Sequence, residues 1–179
     1  MNFASHSMTR TILTGWSAAC VGVLFASLAA QGASAASASS IAFNNMPDSN
    51  RSFKIDQSER TPIASVEIDV SAPSNVLVQF SAEAEAGETD DGCPCSIRAF
   101  LQADDEKPLP VKRINVGAPA VTEVSKYEHD RQEITGSLVF PVPAGKHKFT
   151  FIAQQVTGKS KQLKIDYPNL QAIAFPQNP

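Results

Sequence analysis

Two thiols separated by a single proline, Cys93-Pro94-Cys95, are the residues of this sequence best spaced to do chemistry. In an oxidising compartment thiols this close are expected to pair or to bind something. On a regular strand their Cβ atoms point to opposite faces, which defeats the geometry of a bridge. A turn over residues 92–95 brings them round into a small ring. The favoured reading is a disulfide that clips its own loop. The competing reading is a redox or metal-binding role for the same pair, because a strained disulfide is a reducible one.

The segment leading into this motif (EAEAGETDDG, residues 83–92) carries five acids and two glycines. Glu85, Glu88, Asp90 and Asp91 offer several hard oxygens within one loop, the ligand type that calcium takes. The D-x-D-x-D-G spacing of a dedicated calcium loop is absent, so a solvated acidic loop is the plainer expectation, with calcium as the candidate cofactor. Zinc or copper on Cys93 and Cys95 needs further soft or imidazole ligands. Beyond residue 35 the chain has only His129 and His147 to supply them. His147 shares a face with Phe149 and Phe151, which predicts a satisfied, half-buried histidine.

Catalysis finds little support. The sequence contains no G-x-S-x-G, H-E-x-x-H, G-x-x-x-x-G-K or G-x-G-x-x-G. Asp104 and Asp105 are adjacent acids in a proline-flanked turn, and a glycosidase needs two carboxyls across a cleft. A Cys–His nucleophile built from His147 competes with disulfide formation. The chain is read as not an enzyme.

The elements that position these groups are strands. Val66, Ile68 and Val70 alternate with Glu67 and Asp69, and Val76, Val78, Phe80 and Ala82 alternate with Gln79 and Ser81. Period-two alternation of this kind marks strands with one buried face. Ile97, Ala99 and Leu101 repeat the pattern after the cysteines. Residues 108–111 (PLPV) suit an edge only, since neither proline donates to a ladder. Residues 138–152 (LVFPVPAGKHKFTFI) place Leu138, Phe140 and Val142 on one face of a first arm. On the second arm His147, Phe149 and Phe151 share a face, and the two arms read as an antiparallel hairpin. A last strand starts at Leu163 and Ile165, breaks at Pro168-Asn169 and resumes over residues 170–175.

No sustained helical period and no internal repeat is present after the N-terminal segment. Short alternating strands with turn signals between them predict an all-β fold, an antiparallel β-sandwich of jelly-roll type. If Val121 to Val124 is a strand and successive strands reverse direction, the Cys loop and the turn at residues 143–145 share one end. That places Lys146 near Glu88, Asp90 and Asp91.

Residues 1–35 are set apart. Arg10 precedes an apolar run from Ile12 to Leu28, and Ala33-Ser34-Ala35 supplies a small-residue cleavage site, the order of a secretory signal peptide. Residues 36–52, rich in Ser, Ala and Asn, read as a flexible linker in which Ile41-Ala42-Phe43 can dock as an edge strand. Residues 53–179 form the sandwich domain. The expected location is secreted or periplasmic.

Beyond the signal segment fourteen basic residues face eighteen acids, a net charge of −4. A mildly acidic, dispersed pattern gives no footprint for nucleic acid. No later apolar run is long enough to insert stably in a membrane. The candidate partners are a protein or a surface glycan, and a homo-oligomer through the apolar strand Ala172-Ile173-Ala174-Phe175. Trp16, the only tryptophan, lies in the signal segment, which leaves Tyr127 and Tyr167 as the side chains pairing a ring with a hydroxyl.

Overall fold

The computed structural model describes residues 40–45, 51–86, 92–117 and 130–177. Nine strands among them form two antiparallel sheets. The five-stranded sheet has the order β1 (Ser40–Asn45), β9 (Lys164–Pro176), β4 (Ser74–Ala86), β7 (Asp130–Val142), with β2 (Ser52–Lys54) following β1 along the same edge of β9. The four-stranded sheet has the order β3 (Thr61–Val70), β8 (Gly145–Thr157), β5 (Cys95–Ala103), β6 (Leu109–Val116). Among the described residues no helix is long and apolar enough to cross a membrane.

The alternation seen in the sequence sets which side chains meet between the sheets. Val76, Val78, Phe80, Ala82 and Ala84 of β4 face Phe149, Phe151 and Ala153 of β8, and all of them are buried. The Phe80 and Phe151 rings stack with centroids 4.2 Å apart and planes 14° from parallel. Phe140 and Phe149 meet at 5.4 Å with a 43° tilt. Each such pair contributes about 0.5–1.5 kcal/mol beyond the area it buries. The β-sandwich expected from the alternating strands is the fold observed.

Four local expectations change. Residues 138–152 are not a hairpin: their arms are β7 and β8, which belong to different sheets. The turn arches across the sandwich, so Phe140 and Phe149 face each other through the core instead of lying side by side. Alternation records which face of a strand is apolar; it does not record which strand lies alongside. Within the stretch expected to be a linker, residues 40–45 pair with β9 along the sheet edge, so the docking of Ile41-Ala42-Phe43 is realised. Asn44 ties this edge to the other sheet by donating to the Ser65 carbonyl at 2.7 Å.

The third change concerns β9, which runs through Pro168-Asn169 without breaking. Its register shifts opposite Ser81 and Glu83, and Tyr167 takes φ +51° within the resulting bulge. One residue is absorbed there, so the inward positions switch from Ile165 to Leu170, Ala172 and Ala174.

The fourth change is the assignment of ends. Val116 lies opposite Cys95, and Asp130 lies opposite Ala86, so β6 finishes and β7 starts at the same end. The expected count put these two strand ends at opposite ends of the sandwich, so everything from residue 130 on is inverted relative to expectation. The turn at residues 143–145 therefore joins Ser74 and Asp104 at one end. The Cys loop sits at the other with the turn at Gly158, where the Lys159 N–H donates to the Gly92 carbonyl at 2.8 Å. Lys146 is at the end remote from the Cys loop.

Candidate functional site

Cys93 and Cys95 are joined by a disulfide, with Cα atoms 4.6 Å apart. The bridge is wedged between two turns. Gly117, at φ +74°, would place a Cβ 2.5 Å from Cys93 Cβ, and Gly158, at φ +91°, would drive one into Cys95, 2.9 Å from its Cα. Both positions need a residue that tolerates positive φ and has no side chain. Cys95 is 1% exposed, and Gln155 Nε2 lies 3.8 Å from its sulfur. Cys93 is half-buried. This is a packed staple with one sulfur withdrawn from solvent.

The acids expected near it fall differently. Glu85 is buried on β4 and held by Arg131 Nε of β7 at 3.0 Å. Glu88, Asp90 and Asp91 lie outside the described residues, as do His129, Tyr127 and residues 121–124. Among the described residues no group of three or more His, Cys, Asp or Glu side chains is placed to hold a metal ion.

His147 is 8% exposed, on the same face as Phe149 and Phe151. Its Nδ1 lies 2.8 Å from Asp104 Oδ2 and its Nε2 lies 3.0 Å from the Pro143 carbonyl. The other Asp104 oxygen accepts the Lys148 N–H at 2.8 Å. Both ring nitrogens thus face acceptors, an arrangement that only the doubly protonated ring satisfies. The bond to Asp104 raises the His147 pKa above 6.5; partial burial opposes this, and the Pro143 carbonyl and the charges of Asp104 and Asp69 add to it. For Asp104 burial works upward, but the His147 and Lys148 hydrogen bonds and the His147 charge bring it below 3.8. The group is a structural clamp joining two turns.

The surface best suited to meet another molecule is the outer face of the five-stranded sheet. Register puts its side chains in rows across the strands. One row runs Ile41, Ile173, Leu77, Val139. The next runs Phe43, Gln171, Gln79, Ser137, and the one after it contains Asn169, Ser81 and Thr135. Phe175, Asn75 and Pro141 border the apolar row on its other side. None of these positions carries a charge. Charges begin only with Asp166, Glu83 and Glu133, followed by Lys164, Glu85 and Arg131.

The apolar members are strongly exposed: Phe43 by 71%, Ile41 by 65%, Val139 by 58% and Phe175 by 47%. Beside them a shallow groove of about 360 Å³ is lined by Gln79, Ser81, Thr135, Ser137, Asn169 and Gln171, with Phe80 and Gly136 at its floor. Gln171 Nε2 donates to Gln79 Oε1 at 2.8 Å across the β9–β4 pair. Tyr167, 53% exposed on the bulge with the Arg51 guanidinium 5.8 Å from its ring centre, lies beyond Ser81 in the neighbouring charged groove. Sequence reasoning touched this surface only at Tyr167, considered as a ring with a hydroxyl, and at Ile173 and Phe175 of the strand considered for self-association; it missed the polar rows beside them. The signal was available in the uncharged residues alternating with the core residues of β4, β7 and β9.

No family model matches the chain, and no curated protein matches it. Among solved structures it is similar to a chain of infectious bursal disease virus, Gx strain, at 11% identity and TM-score 0.46. That match covers 80% of this chain and 34% of the other, so this chain spans about a third of the viral one. The tripod of the bacteriophage Tuc2009 baseplate is similar at 9% identity and TM-score 0.41, covering 99% of this chain and 83% of that one. A family 35 carbohydrate-binding module from an environmental isolate is similar at 16% identity and TM-score 0.31, covering 65% and 72% respectively. At such scores these likenesses carry no statement about what the chain binds.

Proposed function

We propose that this is an exported, non-catalytic binding protein whose working surface is the outer face of the five-stranded sheet. The observation that supports the reading is the composition of that face. Ile41, Phe43, Val139 and Phe175 are exposed together, and no charge interrupts the rows they occupy. Contiguous exposed apolar surface on a soluble domain marks an interaction site. The export half of the proposal rests on the sequence pattern of residues 1–35. The candidate partners remain a protein or a glycan of a cell surface. A redox role for Cys93 and Cys95 is the alternative; the burial of Cys95 and the packing of Gly117 and Gly158 against the bridge favour a staple.

The test is adsorption to washed envelope fragments of the producing cells. The wild-type chain is expected to be depleted from the supernatant. A double variant with one acid in each half of the face, Gln79→Glu with Val139→Glu, is expected to stay in solution. Lys112→Glu, on the exposed edge strand β6 of the other sheet, serves as the charge control and adsorbs like wild type. No adsorption of wild type, or equal adsorption of the double variant, ends the proposal.

A further inference from the structure

Resting on that reading of the outer face, we propose that its polar half is a site for a neutral polysaccharide. The groove between β9, β4 and β7 has a volume of about 360 Å³, inside the range of about 300–1,000 Å³ typical of small-ligand clefts. Its six polar lining side chains are amides and hydroxyls. Such groups both donate and accept, and none of them titrates. A charged ligand would leave its hydration shell there without gaining a counter-charge, which is costly. A purely apolar ligand would bury the amides with nothing to bond. The class of molecule that suits such a lining is uncharged and rich in hydroxyls, which are themselves donor and acceptor at once.

The glutamine pair makes the match more specific. With Gln171 donating to Gln79 Oε1, Gln79 keeps its amide N–H₂ and Gln171 keeps its carbonyl oxygen, so a donor and an acceptor stand side by side. Neighbouring hydroxyls on a sugar ring satisfy both, one accepting from Gln79 and the other donating to Gln171. A sugar ring is polar at its rim and apolar on its faces. Phe43 stands directly across from Gln171 in register on the same face of the sheet, and it is largely exposed. Phe43 lines the adjoining groove with Ile41, Asn44, Ser65 and Glu67 and not the polar one, so its ring offers an apolar platform to a ligand long enough to reach across β9 from the amides. Because the groove is shallow, a single ring makes few contacts, and the ligand expected is a chain of several.

The experiment is affinity gel electrophoresis of the purified exported chain in gels containing a soluble β-glucan, xylan, galactomannan or dextran, with polygalacturonate as the anionic comparison. At least one neutral polymer is expected to retard the protein. Gln79→Ala with Gln171→Ala, and separately Phe43→Ala, are expected to weaken that retardation at least tenfold. Lys112→Glu, on edge strand β6 of the other sheet, is expected to leave it within twofold. Circular dichroism on each variant checks the fold. Retardation by polygalacturonate alone, by none of the neutral polymers, or equally for wild type and the glutamine variant overturns the site. Self-association in sedimentation velocity that Val139→Glu abolishes, without polysaccharide binding, assigns the face to a second copy and also overturns it. The two proposals fail separately: envelope adsorption that survives Gln79→Ala/Gln171→Ala but not Gln79→Glu/Val139→Glu removes the glycan and keeps the face. No adsorption together with no retardation removes both.

Discussion

Replacing Asp104 with asparagine isolates the clamp at the end of the sandwich remote from the disulfide. Asparagine keeps the size of the side chain, still accepts the Lys148 N–H, and tolerates the φ of +46° that Asp104 adopts. What it removes is the negative charge opposite His147 Nδ1. In the variant a neutral ring with its proton on Nε2 satisfies every partner, by accepting from the asparagine and donating to the Pro143 carbonyl. The wild-type ring needs both protons. Its pKa is raised in the folded state, so the stability it supplies is fully present below the unfolded value of about 6.5. That contribution is lost as pH rises through the higher folded value. Asp104 is lowered in the folded state, so its share is present above the unfolded value near 3.8 and lost as pH falls through the lower one. The pair is therefore strongest between about pH 4 and pH 6.5.

A hydrogen bond to a charged group contributes about 1.5–3 kcal/mol. The Asp104 side chain is 44% exposed, and solvent screening brings the expected loss to about 1–2 kcal/mol at pH 5.5. At pH 9, with the wild-type ring neutral, the difference shrinks to about 0.5 kcal/mol or less, the ordinary range for a surface substitution. Urea denaturation followed by circular dichroism from pH 4.5 to 9 measures both arms, and taking the difference between the two proteins cancels contributions common to both. Asp69, Lys146 and Lys148 flank the ring and are common to both proteins. A wild-type minus variant difference that does not change with pH would refute the claim that the ring is held as a cation.

Two further predictions concern packing. Gly158→Ala forces a Cβ into Cys95 at a φ of +91° and is expected to cost about 2–4 kcal/mol from strain and overpacking together. Replacing both Cys93 and Cys95 with serine removes a three-residue loop closure and is expected to cost only about 1.5 kcal/mol; equal losses in thermal unfolding would contradict the account of the turn. Phe151→Ala empties a fully buried site stacked on Phe80 and is expected to cost about 3–5 kcal/mol. Phe43→Ala, on the exposed face, is expected to change the unfolding free energy by less than about 0.5 kcal/mol.

Faces were legible in the sequence and neighbours were not. Val66, Ile68 and Val70, then Val76, Val78 and Phe80, point inward as the alternation requires, because a strand exposes its two sides to different surroundings whatever lies beside it. The same alternation suits a hairpin and an arch equally, and so β7 and β8 were assigned to one sheet. Ends depend on a count of reversals, and that count sets the end of β6 and the start of β7 at opposite ends of the sandwich, where register sets them at the same one. The bridge between Cys93 and Cys95 was legible from spacing alone. The glycines that seat it were not, because Gly117 and Gly158 are distant in sequence and meet the cysteines only in the fold. The uncharged outer face was half visible, in Gln79 and Ser81 opposite the core residues of β4. Its extent appears only once register sets Gln171 and Ser137 beside Gln79.

The position of β9 bears on how the chain folds. Later in the chain than the other eight described strands, β9 lies between the β1–β2 edge and β4, and it pairs with all three. Until it emerges, the five-stranded sheet is two unconnected pieces with open edges, and β1 waits for a partner more than a hundred residues away. Contacts this distant make folding slow. A nascent chain can pair β4 with β7 and assemble the four-stranded sheet, but it cannot close the five-stranded one before β9 is made. Removing the β9 segment would not trim an edge; it would split the sheet down the middle.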